Sequence, residues 1–314
     1  MRSTKTILVV GCGAIGGIYA AHLAQVAHVI GLDANAEHVN AIRTHGLKLT
    51  GRSHITSHFD VHTDPAELTQ KPVDAVLILV KSQITALAVT HLLPHLQGSP
   101  VLVTLQNGMG NVEVLSGLCD LDITQGISLE AGRFTQPGVI EHFIHGEDSW
   151  MGPIRGSLDR MAWLGELMNA SGMPTKVAQD PRGAIWSKFI FNCVMNPIGA
   201  LVLGQNKARY EVSEVAELID QMFAECEQVA KAQGIELMFD PMHIVKKTRS
   251  GEMALTKHAG SMSLDVAAKR ETEIEALTGY MVRKAHSLGL KLPVTETVYR
   301  LAKGVDYAAR LNPA

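Results

Sequence analysis

The chain has 314 residues, 46% hydrophobic and 19% charged, with a formal net charge of −3, enough for two domains that each bury a core. That balance lacks the clustered basic excess of a nucleic-acid or anionic-membrane surface, and no charge-free apolar run is long enough to span a bilayer. Cys12, Cys119, Cys193 and Cys226 stand far apart with no C-x-x-C pair, and Met1–Thr6 is too short and polar for a signal peptide, so reduced thiols in a cytoplasmic protein are expected.

Thr6–Val10 reads as a short strand that runs into Gly11-Cys12-Gly13-Ala14-Ile15-Gly16 and then into a helix through Tyr19, Leu23 and Val26. Strand, G-x-G-x-x-G and helix together predict dinucleotide binding. Gly11 allows the tight turn, Gly13 lets a pyrophosphate approach the backbone, and Gly16 packs helix on strand. A second strand, 28–33, ends in Asp33, 22 residues after Gly11. A carboxylate there accepts from ribose hydroxyls and repels a 2′-phosphate, and Asn35 brings no charge to hold one, so NAD(H) is favoured. A helix is expected over 36–45 and a strand pair over 47–62. His54, His58 and His62 recur every four residues. Along a strand that spacing is roughly 13 Å, too far for one ion, and no metal site is expected.

Val73–Val80 and Val101–Leu105 are continuous apolar runs, as in strands of a parallel sheet buried on both faces. Each ends in a polar residue, Lys81 and then Asn107. Ligands of open α/β sheets gather at such carboxyl ends. A further strand at 123–128, a hairpin closing the sheet over 132–144, a helix at 158–170 and an edge strand at 174–177 complete a Rossmann-type dinucleotide-binding domain over 1–179. From residue 180 the pattern is helical through 211–232, 241–249, 261–285 and 296–309. This predicts an all-helical substrate and dimerisation domain over 180–314, with Ser261 able to cap a helix. Its first helix, begun at Pro181, is apolar nearly all round, yet Lys188, Asn192 and Asn196 interrupt it every four residues. Buried amines and amides cost several kcal/mol and about 1–3 kcal/mol respectively when unpartnered, so three on one helix face predict a polar cleft.

These residues resemble the ketopantoate reductase family over nearly the whole chain. The resemblance rests on 11–16, Val80-Lys81, Gln106–Gly110, Trp186–Lys188 with Asn192 and Asn196-Pro197, Ser261-Met262 with Asp265, Arg270–Ile274 with Gly279, and Leu290–Pro293. It implies NAD(P)H-dependent reduction of a 2-oxo acid, ketopantoate to pantoate in pantothenate biosynthesis, by a homodimer. Lys188 would be the general acid and Glu273 its essential partner. Asn107, Asn192, Asn196 and Ser261 would hold the 2-oxo acid, while Lys81, Asn107 and Glu273 would lie at the cofactor with 11–16 and Asp33. NADP(H) is the family default, and members carry an arginine near Asn35 for its phosphate; Asp33 and Asn35 depart from that. Thr278 and Leu264 replace an asparagine and a glutamine near the substrate segment, which opens the identity of the acid. NAD-dependent D-2-hydroxyacid dehydrogenases of D-mandelate type share the Asp33 pattern and are the alternative enzyme. A dinucleotide-binding regulator is the non-enzyme alternative.

Overall fold

Strand β1 (Thr6–Val10) is followed by α1 (Ala14–Leu23), β2 (His28–Leu32), α2 (Ala36–His45), β3 (Leu47–Gly51), β4 (Ile55–Ser57) and β5 (Asp60–His62). Next come β6 (Ala75–Ile78), α3 (Thr85–Leu92), β7 (Val101–Thr104), α4 (Asn111–Leu118) and β8 (Ile123–Ile127). The first half closes with β9 (Ala131–Gln136), β10 (Val139–Ile144), β11 (Ser149–Arg155), α5 (Leu158–Ala170) and β12 (Thr175–Val177). This computed structural model describes residues 3–68, 72–255 and 259–311.

The main sheet has the order β12-β11-β8-β7-β6-β1-β2-β5. The strands from β5 to β8 run parallel, with Ile7 beside both Val29 and Ala75, and β11 enters antiparallel to β8. Ile7 and Val9 belong to one apolar cluster, Leu8 and Val10 to another. Burial of both faces explains why these strands are continuous apolar runs.

The hairpin expected to close this sheet lies elsewhere. Strands β9 and β10 form a separate four-stranded sheet, ordered β4-β3-β10-β9, in which β3 and β10 are parallel. Its inner face lies against α1 at glycines. A Cβ on Gly17 would stand 2.2 Å from Ile140 Cδ1, and one on Gly132 would stand 2.6 Å from Ile18 Cδ1. The predicted strand pair over 47–62 is accordingly three short strands, of which β5 joins the main sheet. His54 and His58 flank β4, while His62 ends β5 in the other sheet.

Residues up to Gln106 and Asn111–Pro181 form one compact unit; Asn107–Gly110 with the chain from Arg182 form the second. The second contains α6 (Arg182–Leu201), α7 (Asn206–Glu211), α8 (Ser213–Ala232), α9 (His243–Arg249), α10 (Ser261–Ala267), α11 (Tyr280–Ser287) and α12 (Pro293–Leu311). Its core gathers Phe189, Ile190, Val194, Phe223, Leu277 and Met281. The single helix expected over 261–285 is broken. Lys269 turns left-handed at φ 54°, Arg270 N–H returns to the Asp265 carbonyl, and Asp306 Oδ1 takes Thr272 N–H at 2.7 Å. A π-helical turn, Glu275–Gly279, then leads into α11. Apolar periodicity survives the break because Ile274, Leu277, Met281 and Ala285 still face one core. No helix of the described residues is long and apolar enough to cross a membrane.

Candidate active site

The glycine loop is shaped by close approach. Gly11 has φ +88°, and a Cβ there would lie 2.8 Å from Val80 N. A Cβ on Gly16 would lie 1.7 Å from the Gly11 carbonyl, which only a glycine tolerates. A Cβ on Gly13 would meet nothing within 4 Å. Gly13 is also the N-cap of α1, with no side-chain cap, so the first-turn N–H groups, beside half-buried Ala14 and Ile15, face open space. Open room at the positive end of a helix suits a dinucleotide's diphosphate. Cys12 points inward, and burial pushes its thiol far up, so it contributes backbone only.

Asp33 holds this loop. Its Oδ2 accepts Cys12 N–H at 2.7 Å and its Oδ1 accepts Asn35 N–H at 2.9 Å. The Asn35 side chain caps α2 by accepting His38 N–H at 3.1 Å. Lys81 follows β6, half-buried, as the N-cap of a 3-10 turn over Ser82–Ile84. Gln106, to which sequence reasoning assigned no role, braces that segment: its Nε2 donates to the Val80 carbonyl at 2.7 Å and to Thr85 Oγ1 at 2.8 Å. Asn111 Nδ2 donates to Ser82 Oγ at 3.2 Å. Gln106 adjoins Asn107 at the strand end and opens the Gln106–Gly110 segment, though the resemblance assigned it no role of its own.

In the helical unit, α6 is continuous from Arg182 to Leu201, so Lys188, Asn192 and Asn196 share one face. Asn192 is buried, whereas Lys188 and Asn196 are half-buried. Desolvation lowers the Lys188 pKa from 10.5 to about 8, and the charge of Glu273, 8% exposed, opposes the fall. Asn192 Nδ2 donates to Asn107 Oδ1 at 3.4 Å. Asn107 reaches α6 because its loop clasps the π turn. Met109 N–H donates to the Ala276 carbonyl at 2.8 Å, and Gly108, φ +83°, has no room for a Cβ, which would sit 2.7 Å from that oxygen. Glu273 lies three residues before that carbonyl. Lys188, Asn192, Asn107 and Glu273 are thus brought together. Asn196 continues the face further along α6.

One expectation changes. Ser261 is the first residue inside α10, with Gly260 at the cap position, so Ser261 does not cap this helix. Thr278 is fully buried, and its Oγ1 donates to the Cys193 carbonyl at 2.8 Å. Pro197, inside α6, lacks the N–H that would have bonded that carbonyl four residues back, so Thr278 fills the gap in the helix ladder. It thereby braces α6. Leu264 is 36% exposed on α10.

The description "Ketopantoate reductase PanE/ApbA" matches residues 7–156, and "Ketopantoate reductase PanE/ApbA C terminal" matches 180–306. The 2-dehydropantoate 2-reductase of Halobacterium salinarum is 30% identical over 303 residues, covering 95% of this chain and 97% of its own. That of Vibrio cholerae is 28% identical, covering 96% and 97%. Among solved structures, a PanE/ApbA family ketopantoate reductase from Ralstonia eutropha superposes with a TM-score of 0.85 at 26% identity over 97% of this chain and 99% of its own. D-mandelate dehydrogenase in a complex with NADH and anilino(oxo)acetate shares the fold, with a TM-score of 0.83 at 20% identity over 97% of this chain and 99% of its own.

Proposed function

The chain belongs to the ketopantoate reductase family, and on that premise we propose that it reduces a 2-oxo acid to the 2-hydroxy acid, with ketopantoate the leading substrate. The observation that carries the chemistry is Lys188, an ammonium with a pKa near 8 under the influence of Glu273. A bound nicotinamide supplies hydride to the carbonyl carbon. The chain's task is at the oxygen: Lys188 Nζ stabilises the negative charge that develops there and gives up a proton to it. Glu273 keeps that amine charged and oriented against the desolvation that lowers its pKa. Asn107, Asn192, Asn196 and Ser261 are neutral donors suited to the substrate carboxylate. They grip an anion without a second fixed charge beside the reacting carbon.

For the cofactor, residues 11–16 would cradle the diphosphate and Asp33 would meet the adenosine ribose, while the family resemblance assigns Lys81, Asn107 and Glu273 to cofactor binding. NADH is the preferred form. The Asp33 carboxylate repels a 2′-phosphate, and the Asn35 amide is uncharged and already caps α2. The same feature favours, as a second reading, an NAD-dependent D-2-hydroxyacid dehydrogenase of mandelate type. The helical unit would also dimerise, in the cytoplasm.

The test is turnover of ketopantoate against bulky and aromatic 2-oxo acids, each with NADH and NADPH. Ketopantoate with NADH is expected to lead. Rates for ketopantoate orders of magnitude below those for an aromatic acid would move the assignment to the second reading, and no turnover with any acid would leave a dinucleotide-binding regulator.

A further inference from the structure

A group of titratable side chains in the first unit plays no part in this chemistry. Glu130 precedes β9, His142 lies in β10 and His145 follows its end; Glu130 and His142 are almost fully buried, and His145 is a quarter exposed. Glu130 Oε2 lies 2.7 Å from His142 Nε2 and 3.0 Å from His145 Nδ1, and the three ligand atoms all fall within 4.8 Å of one another. The second carboxylate oxygen, Oε1, is buried with no hydrogen-bond partner. A carboxylate sunk in the protein with one oxygen unsatisfied is costly unless a cation is shared with it.

Hydrogen bonds extend from this trio to a third histidine. His22 Nδ1 lies 2.9 Å from the Ser171 carbonyl, which only accepts, so that nitrogen carries a proton. His22 Nε2 lies 3.0 Å from Ser53 Oγ. The same Ser53 Oγ lies 2.8 Å from His142 Nδ1.

We propose that Glu130, His142 and His145 form a divalent-metal site, with zinc the ion of best fit. Two imidazoles and one carboxylate are a zinc donor set, and ligands about 2.0–2.1 Å from a tetrahedral ion stand about 3.3 Å apart, so the 2.7 Å and 3.0 Å contacts would open by about 0.3–0.6 Å to admit the ion. The Ser53 hydroxyl on His142 Nδ1 is the outer partner that fixes the tautomer of a metal-binding histidine. The exposed edge of His145 gives the ion a way in and leaves the fourth position for water. Such an ion would fasten the small sheet at β9 and β10, next to the segment after β3 that supplies Ser53.

The purified full-length protein, stripped with a chelator and titrated with zinc in a metal-buffered series, is expected to take up one zinc per chain, and cobalt is expected to give visible ligand-field absorption. His142 is fully buried and its loss risks the fold, so the variants are His145→Gln and Ser53→Ala, checked by circular dichroism. His145→Gln should weaken zinc more than about 100-fold, because outer partners alone are worth about 10–100-fold, the range expected for Ser53→Ala. No zinc uptake by the wild type, or uptake unchanged in His145→Gln, overturns the site.

Discussion

A lysine with a pKa near 8 carries its proton in most molecules at neutral pH and loses it just above, so Lys188 places the reaction's pH limit within easy reach. As the acid in reduction it must be protonated. The kcat/KM for reduction should be level below about pH 8 and fall about tenfold per unit above it, while that for oxidation of the 2-hydroxy acid should rise over the same interval. Initial rates in both directions across pH test this, and a flat reduction profile would remove Lys188 from the role. Lys188→Ala should lower kcat by about 100-fold to 10,000-fold with cofactor binding retained, as read by nucleotide fluorescence. Asp33→Ala with Asn35→Arg should shift preference toward NADPH, measured as the ratio of kcat/KM for the two nucleotides; an unchanged ratio would place the ribose elsewhere. The Lys188 face was legible in the sequence because polar residues every fourth place in an apolar helix have few bland explanations. The bracing of the glycine loop by Asp33 was not, since its partners are main-chain N–H groups of Cys12 and Asn35 that leave no trace in residue identity. The Glu130 cluster was hidden for a related reason. Its members are 12 and 3 residues apart in sequence and meet only through the pairing of β9 with β10.

Helix α6 keeps its course through Pro197 because another element supplies the missing donor. Without Thr278 the Cys193 carbonyl would be buried with nothing to bond it, next to Asn192 and three residues before Asn196. Thr278→Val, which keeps the shape and removes the hydroxyl, should cost about 1–3 kcal/mol of stability, and Thr278→Ser should recover most of it. Urea denaturation of the three proteins measures the difference. Equal midpoints for the valine and serine variants would mean that the hydrogen bond contributes nothing. The asparagine usual at this position in the family also carries a side-chain N–H, so the replacement preserves the donor and need not report on the substrate. Sequence reading took Thr278 for a specificity position because it adjoins the Glu273 segment. What it could not register was the break between α10 and the π turn, which directs this side chain at α6. A change from α to π winding shifts facing by a residue while leaving the apolar pattern intact.

At the scale of the whole chain, each unit has a core of its own, and the change from alternating strands and helices to helices alone marked that division in the sequence. The grouping of Asn107–Gly110 with the helical unit was not legible, since it follows from one backbone hydrogen bond and the small size of Gly108 rather than from chain order. Separate cores imply that one unit can respond to acid through its own charges. In the helical unit Glu275, in the π turn, accepts from Arg283 of α11 and from Tyr299 of α12, and Lys303 of α12 lies 2.7 Å away. Partial burial would raise its pKa, but Lys303, Tyr299 and Arg283 outweigh that and hold it at about 2 instead of 4.5. A carboxylate with a depressed folded pKa stabilises the fold fully above its unfolded value, and that contribution is lost as pH falls from about 4.5 toward 2. Glu275→Gln should therefore be less stable than the wild type at pH 7, and the gap should narrow through that window until the two coincide. With Trp150 and Trp163 replaced by phenylalanine, Trp186 reports on this unit alone, and its fluorescence in urea at a series of pH values measures the gap. A gap of constant size down to pH 2 would show that the Glu275 cluster contributes no charge-dependent stability to the helical unit.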